Sequence, residues 1–85
     1  IREVQWIGLR CRVQVEDAIA GYEVDIRTNV NKPDSSITRP RPVDEDGRAS
    51  LMVEDDDLIG EAAHVVLQDH EGTVIATEPT EVEGR

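Results

Sequence analysis

From Ile7 to Glu16 apolar and polar residues alternate: Ile7, Leu9, Cys11, Val13 and Val15 are interleaved with Gly8, Arg10, Arg12, Gln14 and Glu16. A period of two sends successive side chains to opposite faces, so this run predicts a half-buried β-strand. On a helix the same apolar residues would spread around the circumference, and Arg10 and Arg12 would share no outer face. Asp17 to Gly21 predicts a connection. Tyr22, Val24 and Ile26 then alternate with Glu23, Asp25 and Arg27, a second strand ending near Val30 and antiparallel to the first because the loop is short.

Residues 31–42 change character. Pro33, Pro40 and Pro42 each remove a backbone donor among Ser, Asn and Asp. The segment predicts a Pro-rich mobile loop or a weak edge strand around Ile37. Asp44-Glu45-Asp46-Gly47 predicts a turn, because aspartate bonds its own backbone and glycine accepts positive φ. Ala49, Leu51 and Val53 then face one way along a strand. Glu54 to Asp57 are four consecutive acids that cannot be buried together and mark an exposed connection, with Leu58 and Ile59 expected to return to the core.

Glu61 to Gln68 reads as a strand with Ala63, Val65 and Leu67 inward. Asp69-His70-Glu71-Gly72 closes a hairpin onto Thr73 to Thr77. Pro79 either interrupts the return strand or begins a last edge pairing through Val82, and Glu83 to Arg85 reads as a frayed terminus. Leu58, Ile59, Ala62, Ala63 and Val66 also fall at helical spacing within 55–65, but the β-branched residues and the hairpin beyond favour strand. About seven short alternating segments separated by Gly, Pro and Asp are the pattern of a small all-β sandwich or barrel.

The stretch Val43-Asp44-Glu45-Asp46-Gly47-Arg48-Ala49-Ser50-Leu51-Met52-Val53 resembles the turn-plus-strand signature of bacterial immunoglobulin-like domains and of the related carboxypeptidase regulatory-like, transthyretin-like domains. Val13 to Asp17, Gly21 and Val24-Asp25-Ile26 are similar to their opening strand, loop and second strand. The resemblance spans Leu9 to Val82, and its local motif is the short Asp-x-Asp-Gly turn. It implies an all-β fold, a small immunoglobulin-like (Greek-key) sandwich of about seven short, mainly antiparallel strands, and a non-catalytic module that spaces, props or docks larger domains.

Composition narrows the function classes. Eighty-five residues hold one domain, 1–85, near the lower size limit for a single apolar core. The chain starts at Ile1 and shows neither a basic-then-apolar leader nor a bilayer-length apolar run, which predicts a piece of a larger protein with no membrane insertion. A net charge of −10 repels nucleic acid. The basic residues are eight arginines and one lysine, Lys32, a bias that suits a GC-rich or salt-adapted host as well as an acidic docking surface suits the acids. Cys11 alone makes no internal disulfide, which leaves the compartment open. Trp6 and Tyr22 are the two aromatic residues, too few for a stacking platform.

Candidate chemistry is sparse. Asp44 and Asp46, with Asp55, Asp56 and Asp57, are calcium candidates, since carboxylates on loops supply the six to eight oxygens that this cation takes. The EF-hand spacing is absent, and a solvated pair of acidic loops explains the same residues. His64 and His70 occupy different settings and do not by themselves form a metal site. Ser35, Ser36, Ser50 and Cys11 lie in no nucleophile elbow, and no glycine-rich loop opens a helix, so no enzyme active site and no cofactor are expected. Arg10, Arg12 and Arg27 form a basic stripe if the first two strands pair, either an interface or one neutralised by Glu16, Glu23 and Asp25. Trp6 reads equally as a core plug or as a contact to a neighbouring domain. The expected function is a structural or protein-interaction module whose partners are neighbouring domains of its own chain or another protein. The alternative is a ligand-binding module for calcium or for a polymer such as glycan.

Overall fold

The alternation in the sequence becomes seven strands in two antiparallel sheets: β1 Glu3–Ile7, β2 Arg10–Gln14, β3 Glu23–Arg27, β4 Arg41–Pro42, β5 Arg48–Met52, β6 Ala62–Gln68 and β7 Val74–Glu81. The computed structural model describes residues 1–17 and 19–84. Residues 18 and 85, parts of the expected Asp17–Gly21 connection and Glu83–Arg85 terminus, lie outside the described residues. One sheet has the order β1-β2-β5, the other β4-β3-β6-β7. The helical spacing within 55–65 leaves only a single 3-10 turn at Asp56–Leu58, capped by the Asp55 carboxylate, and Ala62–Gln68 is strand as expected.

The core lies between the sheets. Cys11 and Val13 of β2 and Ala49 and Leu51 of β5 face Val24 and Ile26 of β3 and Ala63, Val65 and Leu67 of β6. Val15 and Val43 close one end, and Val4, Trp6, Tyr22, Ile37 and Ala76 pack around the margin. Each buried Val, Ile or Leu contributes on the order of 1.5–3 kcal/mol relative to exposure, so this two-sided cluster is the main stabilising term.

Several expectations are corrected. The alternating run from Ile7 contains a turn: Ile7 ends β1 and is exposed, and Gly8 with Leu9 forms a two-residue loop into β2. Gly8 has φ 60°, which a two-residue hairpin requires at this position. The strands β2 and β3 do not pair. Asp17 at φ 54° and Gly21 at φ 94° redirect the chain between them into the second sheet, and Gly21 donates to the Val43 carbonyl. Ile59 is 47% exposed rather than buried, because the 3-10 turn ends beside it. Pro79 interrupts nothing: it sits within β7, an edge strand, where a missing donor is tolerated.

Residues 31–42 are tied down along β3. Ser36 bridges Arg27, the Ile37 amide donates to the Ile26 carbonyl at 2.9 Å, and the paired edge strand is Arg41–Pro42, later than the expected Ile37. Before it, a 3-10 turn at Pro33–Ser35 is held by the Ser35 hydroxyl, which donates to the carbonyls of Asn29 and Lys32. The outer side of β3 is consequently covered, and Val24 to Arg27 are all buried.

Candidate functional site

The acidic candidates separate in space. The carboxylates of Asp55, Asp56 and Asp57 offer oxygens within 4.8 Å of one another, and all three residues are exposed. Asp44 and Asp46 do not join that group. Asp44 Oδ1 accepts from the amides of Asp46 and Arg48, both at 2.9 Å, and Gly47, at φ 79°, donates to the Asp44 carbonyl. The Asp44–Gly47 loop therefore spends its polar groups on the turn that feeds β5. Asp55 likewise accepts from the Asp57 amide. Three oxygen donors fall short of the six to eight that calcium takes, the remainder being left to water.

The basic candidates also separate. Arg27 lies on β3, buried, and it is not part of a surface stripe with Arg10 and Arg12, because β2 and β3 belong to different sheets. Its Nε donates to Asp25 Oδ2 at 3.2 Å and its guanidinium to the Val30 carbonyl at 3.1 Å. Asp25, read from the sequence as an outward residue, is 1% exposed. Its oxygens also accept from the Ile26 amide at 2.8 Å, from Thr38 Oγ1 at 3.3 Å and from the Ser36 hydroxyl. The pair and its hydroxyl partners fasten residues 36–38 over the sheet, and every acceptor position of the carboxylate has a donor.

Arg10 and Arg12 remain exposed on the outer face of β2, in register with neighbours on both sides. One row reads Ile7, Arg10, Met52; the next Gln5, Arg12, Ser50; the third Glu3, Gln14, Arg48. A depression of about 480 Å³ is lined by Arg12 and Arg48 with Gln5, Gln14 and Ser50, and an adjoining one of about 260 Å³ by Arg10, Arg39 and Arg41 with Met52. Sequence reasoning missed Arg39, Arg41 and Arg48. The outward alternation of Arg48 with Ala49 and Leu51 was a signal for one of them, but the strand order decides that it stands beside β2.

Trp6 falls within β1, half-buried against the core, and its Nε1 donates to Thr80 Oγ1 of β7 at 2.9 Å, so it bridges the two sheets at one edge. Cys11 is fully buried, and desolvation, with Glu83 adding a smaller repulsion, pushes its thiol up to about 12; it is held protonated and unreactive. His70 packs edge-on against Tyr22 with ring centroids 4.9 Å apart, its Nε2 3.3 Å from the Ala20 carbonyl. His64 stands opposite Arg27 across β3 and β6, and its Nδ1 is buried with no hydrogen-bond partner among the described residues. The two histidines are in separate settings, one in mid-strand and one at the hairpin tip. Ser35 and Ser36 are engaged in loop and network bonds, and Ser50 accepts from Arg10 at 3.3 Å.

No helix among the described residues is long and apolar enough to cross a membrane. No protein-family model, no curated protein and no solved structure matches the chain.

Proposed function

We propose that the chain is a non-catalytic structural or protein-interaction module of a larger protein, immunoglobulin-like in topology, whose partners are neighbouring domains of its own chain or another protein. The observation that carries this reading is the use made of its chemistry-bearing groups. Asp25, Arg27, Ser36, Thr38, Asp44 and Asp55 are engaged in turns and in the fastening of one segment, and the Cys11 thiol is buried and protonated. Groups committed in this way hold a surface in shape rather than turn over a substrate. The strand order supports the immunoglobulin-like part: the chain crosses between sheets after β2, β4 and β5, and the short β4 flanks β3 as an added strand does in variable-type domains. The Asp44–Gly47 turn leading into β5 supports the resemblance to bacterial immunoglobulin-like and carboxypeptidase regulatory-like domains.

The second reading, a calcium-dependent binding module, is favoured by the convergence of Asp55, Asp56 and Asp57. One experiment separates the two: a two-dimensional amide NMR spectrum recorded with chelator and then with calcium at constant ionic strength. Dispersed peaks unmoved by calcium support the interaction module. Saturating shifts confined to residues 55–57 and their neighbours overturn it in favour of the calcium reading.

A further inference from the structure

Building on that interaction-module reading, we propose that the outer face of the β1-β2-β5 sheet, with the adjoining rim of β4, docks an acidic protein segment in extended conformation. The placement of positive charge carries this. On a chain of net charge −10, five of the nine basic residues line two neighbouring depressions that share Ser50: Arg12 and Arg48 in one, Arg10, Arg39 and Arg41 in the other. A host-wide bias toward acidic composition does not concentrate arginine on one side.

These arginines are exposed and unneutralised. Glu3, Asp44 and Glu54 stand at the borders of the depressions, yet the one ion pair among the described residues is Arg27–Asp25 on the opposite sheet. The bonds made by Arg10 to Ser50 and by Arg48 to the Gln14 amide oxygen go to neutral acceptors. Guanidinium forks left open in this way match carboxylates in two-point geometry, which lysine does not offer.

Spacing and apolar content specify the ligand further. Arg10 and Arg12 are two residues apart on one strand, and same-face side chains of an extended chain repeat about every 6.8 Å, so an extended segment presents its carboxylates at the same interval. Ile7 and Met52 flank Arg10 in one register row and are 48% and 43% exposed, which places apolar contact beside arginine as in the energetic centres of protein interfaces. A short acidic segment with an apolar residue on the same face as its carboxylates satisfies both features. A long nucleic-acid polyanion meets the repulsion of the acidic remainder of the surface.

The test is titration of the isotope-labelled full chain with a short capped peptide that carries two glutamates and a leucine at every second position, with serine between them, followed by amide shifts. A glutamine-for-glutamate version and an oligothymidylate serve as comparisons. The expected result is saturable shifts confined to residues 3–7, 10–14, 39–41 and 48–52, weakening as salt is raised. Arg12→Gln and Arg48→Gln should each weaken the peptide about tenfold, the scale of a lost charge-assisted hydrogen bond. Both side chains are exposed, so the remaining spectrum should be unchanged. Shifts elsewhere, no shifts, equal binding of the glutamine peptide, or tighter binding of the oligothymidylate each overturn the proposal. A dispersed, calcium-insensitive spectrum without peptide binding sinks this docking face alone, whereas calcium-driven shifts in the acidic turn sink the interaction-module reading beneath it.

Discussion

Asp25→Ala should be the most damaging polar substitution in this chain. Asp25 is 1% exposed and accepts from the Ile26 amide, Arg27 Nε, Thr38 Oγ1 and the Ser36 hydroxyl. Without it, a guanidinium 6% exposed keeps the Val30 carbonyl as its acceptor among the described residues, the Thr38 hydroxyl loses its acceptor, and the Ser36 hydroxyl is left with the Pro33 carbonyl. Removing one partner of a buried ion pair costs about 3–5 kcal/mol, because the other charge stays buried and unpaired. A domain of this length has a total stability of roughly 4–13 kcal/mol, so about a quarter or more is at stake. Arg27→Met should cost less, about 1–3 kcal/mol, since the carboxylate keeps three donors. The double variant Asp25→Leu with Arg27→Met should recover most of the loss, because no charge remains in the covered face. Urea unfolding followed through the emission of Trp6 gives all three values. Amide exchange at Ile26 and Ile37 reports whether the covering segment detaches in Asp25→Ala. A cost below about 1 kcal/mol for Asp25→Ala would refute the reasoning and mean that water reaches the pair; a larger cost for Arg27→Met would also refute it and mean that the carboxylate, not the guanidinium, is the charge that cannot be left unpaired.

Two further outcomes follow from single contacts. Thr80→Val should cost about 1 kcal/mol by stranding the Trp6 indole donor, while Thr80→Ser should cost close to nothing; equal losses in urea unfolding would deny the bond a role. The Cys11 thiol is pushed up to about 12 from 9.0 by burial, so the folded chain keeps a proton that the unfolded chain releases. The associated stability is complete below the unfolded value and is lost as pH rises toward the folded one. Between about pH 9 and pH 10.5 the wild type should therefore lose about 2 kcal/mol more than Cys11→Ala, and parallel pH profiles of the two would contradict the assignment.

The strand pattern was legible because burial on one face writes a period of two into the sequence, and β2 and β5 carry it plainly. The hairpin at Gly8 was not legible, because a two-residue turn leaves the alternation of Ile7, Leu9 and Cys11 unbroken to the eye. Asp25 and Arg27 misled for a different reason. Polar residues alternating with Val24 and Ile26 signal a solvent face, and nothing local announces that a proline-bearing segment ten residues on folds over them. That Arg10, Arg12 and Arg48 share a face with each other rather than with Arg27 depended on which strands pair.

Local periodicity, backbone chemistry and counting are enough for the all-β class, most strand positions, the turns at Asp44–Gly47 and Asp69–Gly72, and the acidic balance. Only the tertiary structure decided the division into β1-β2-β5 and β4-β3-β6-β7, the burial of the Asp25–Arg27 pair, the bridge from Trp6 to Thr80, and the gathering of five arginines on one side. The physical reason is common to all four. Each depends on residues far apart in the chain meeting across or within sheets, and a pattern that repeats every two residues says which face a side chain takes but not which strand lies beside it.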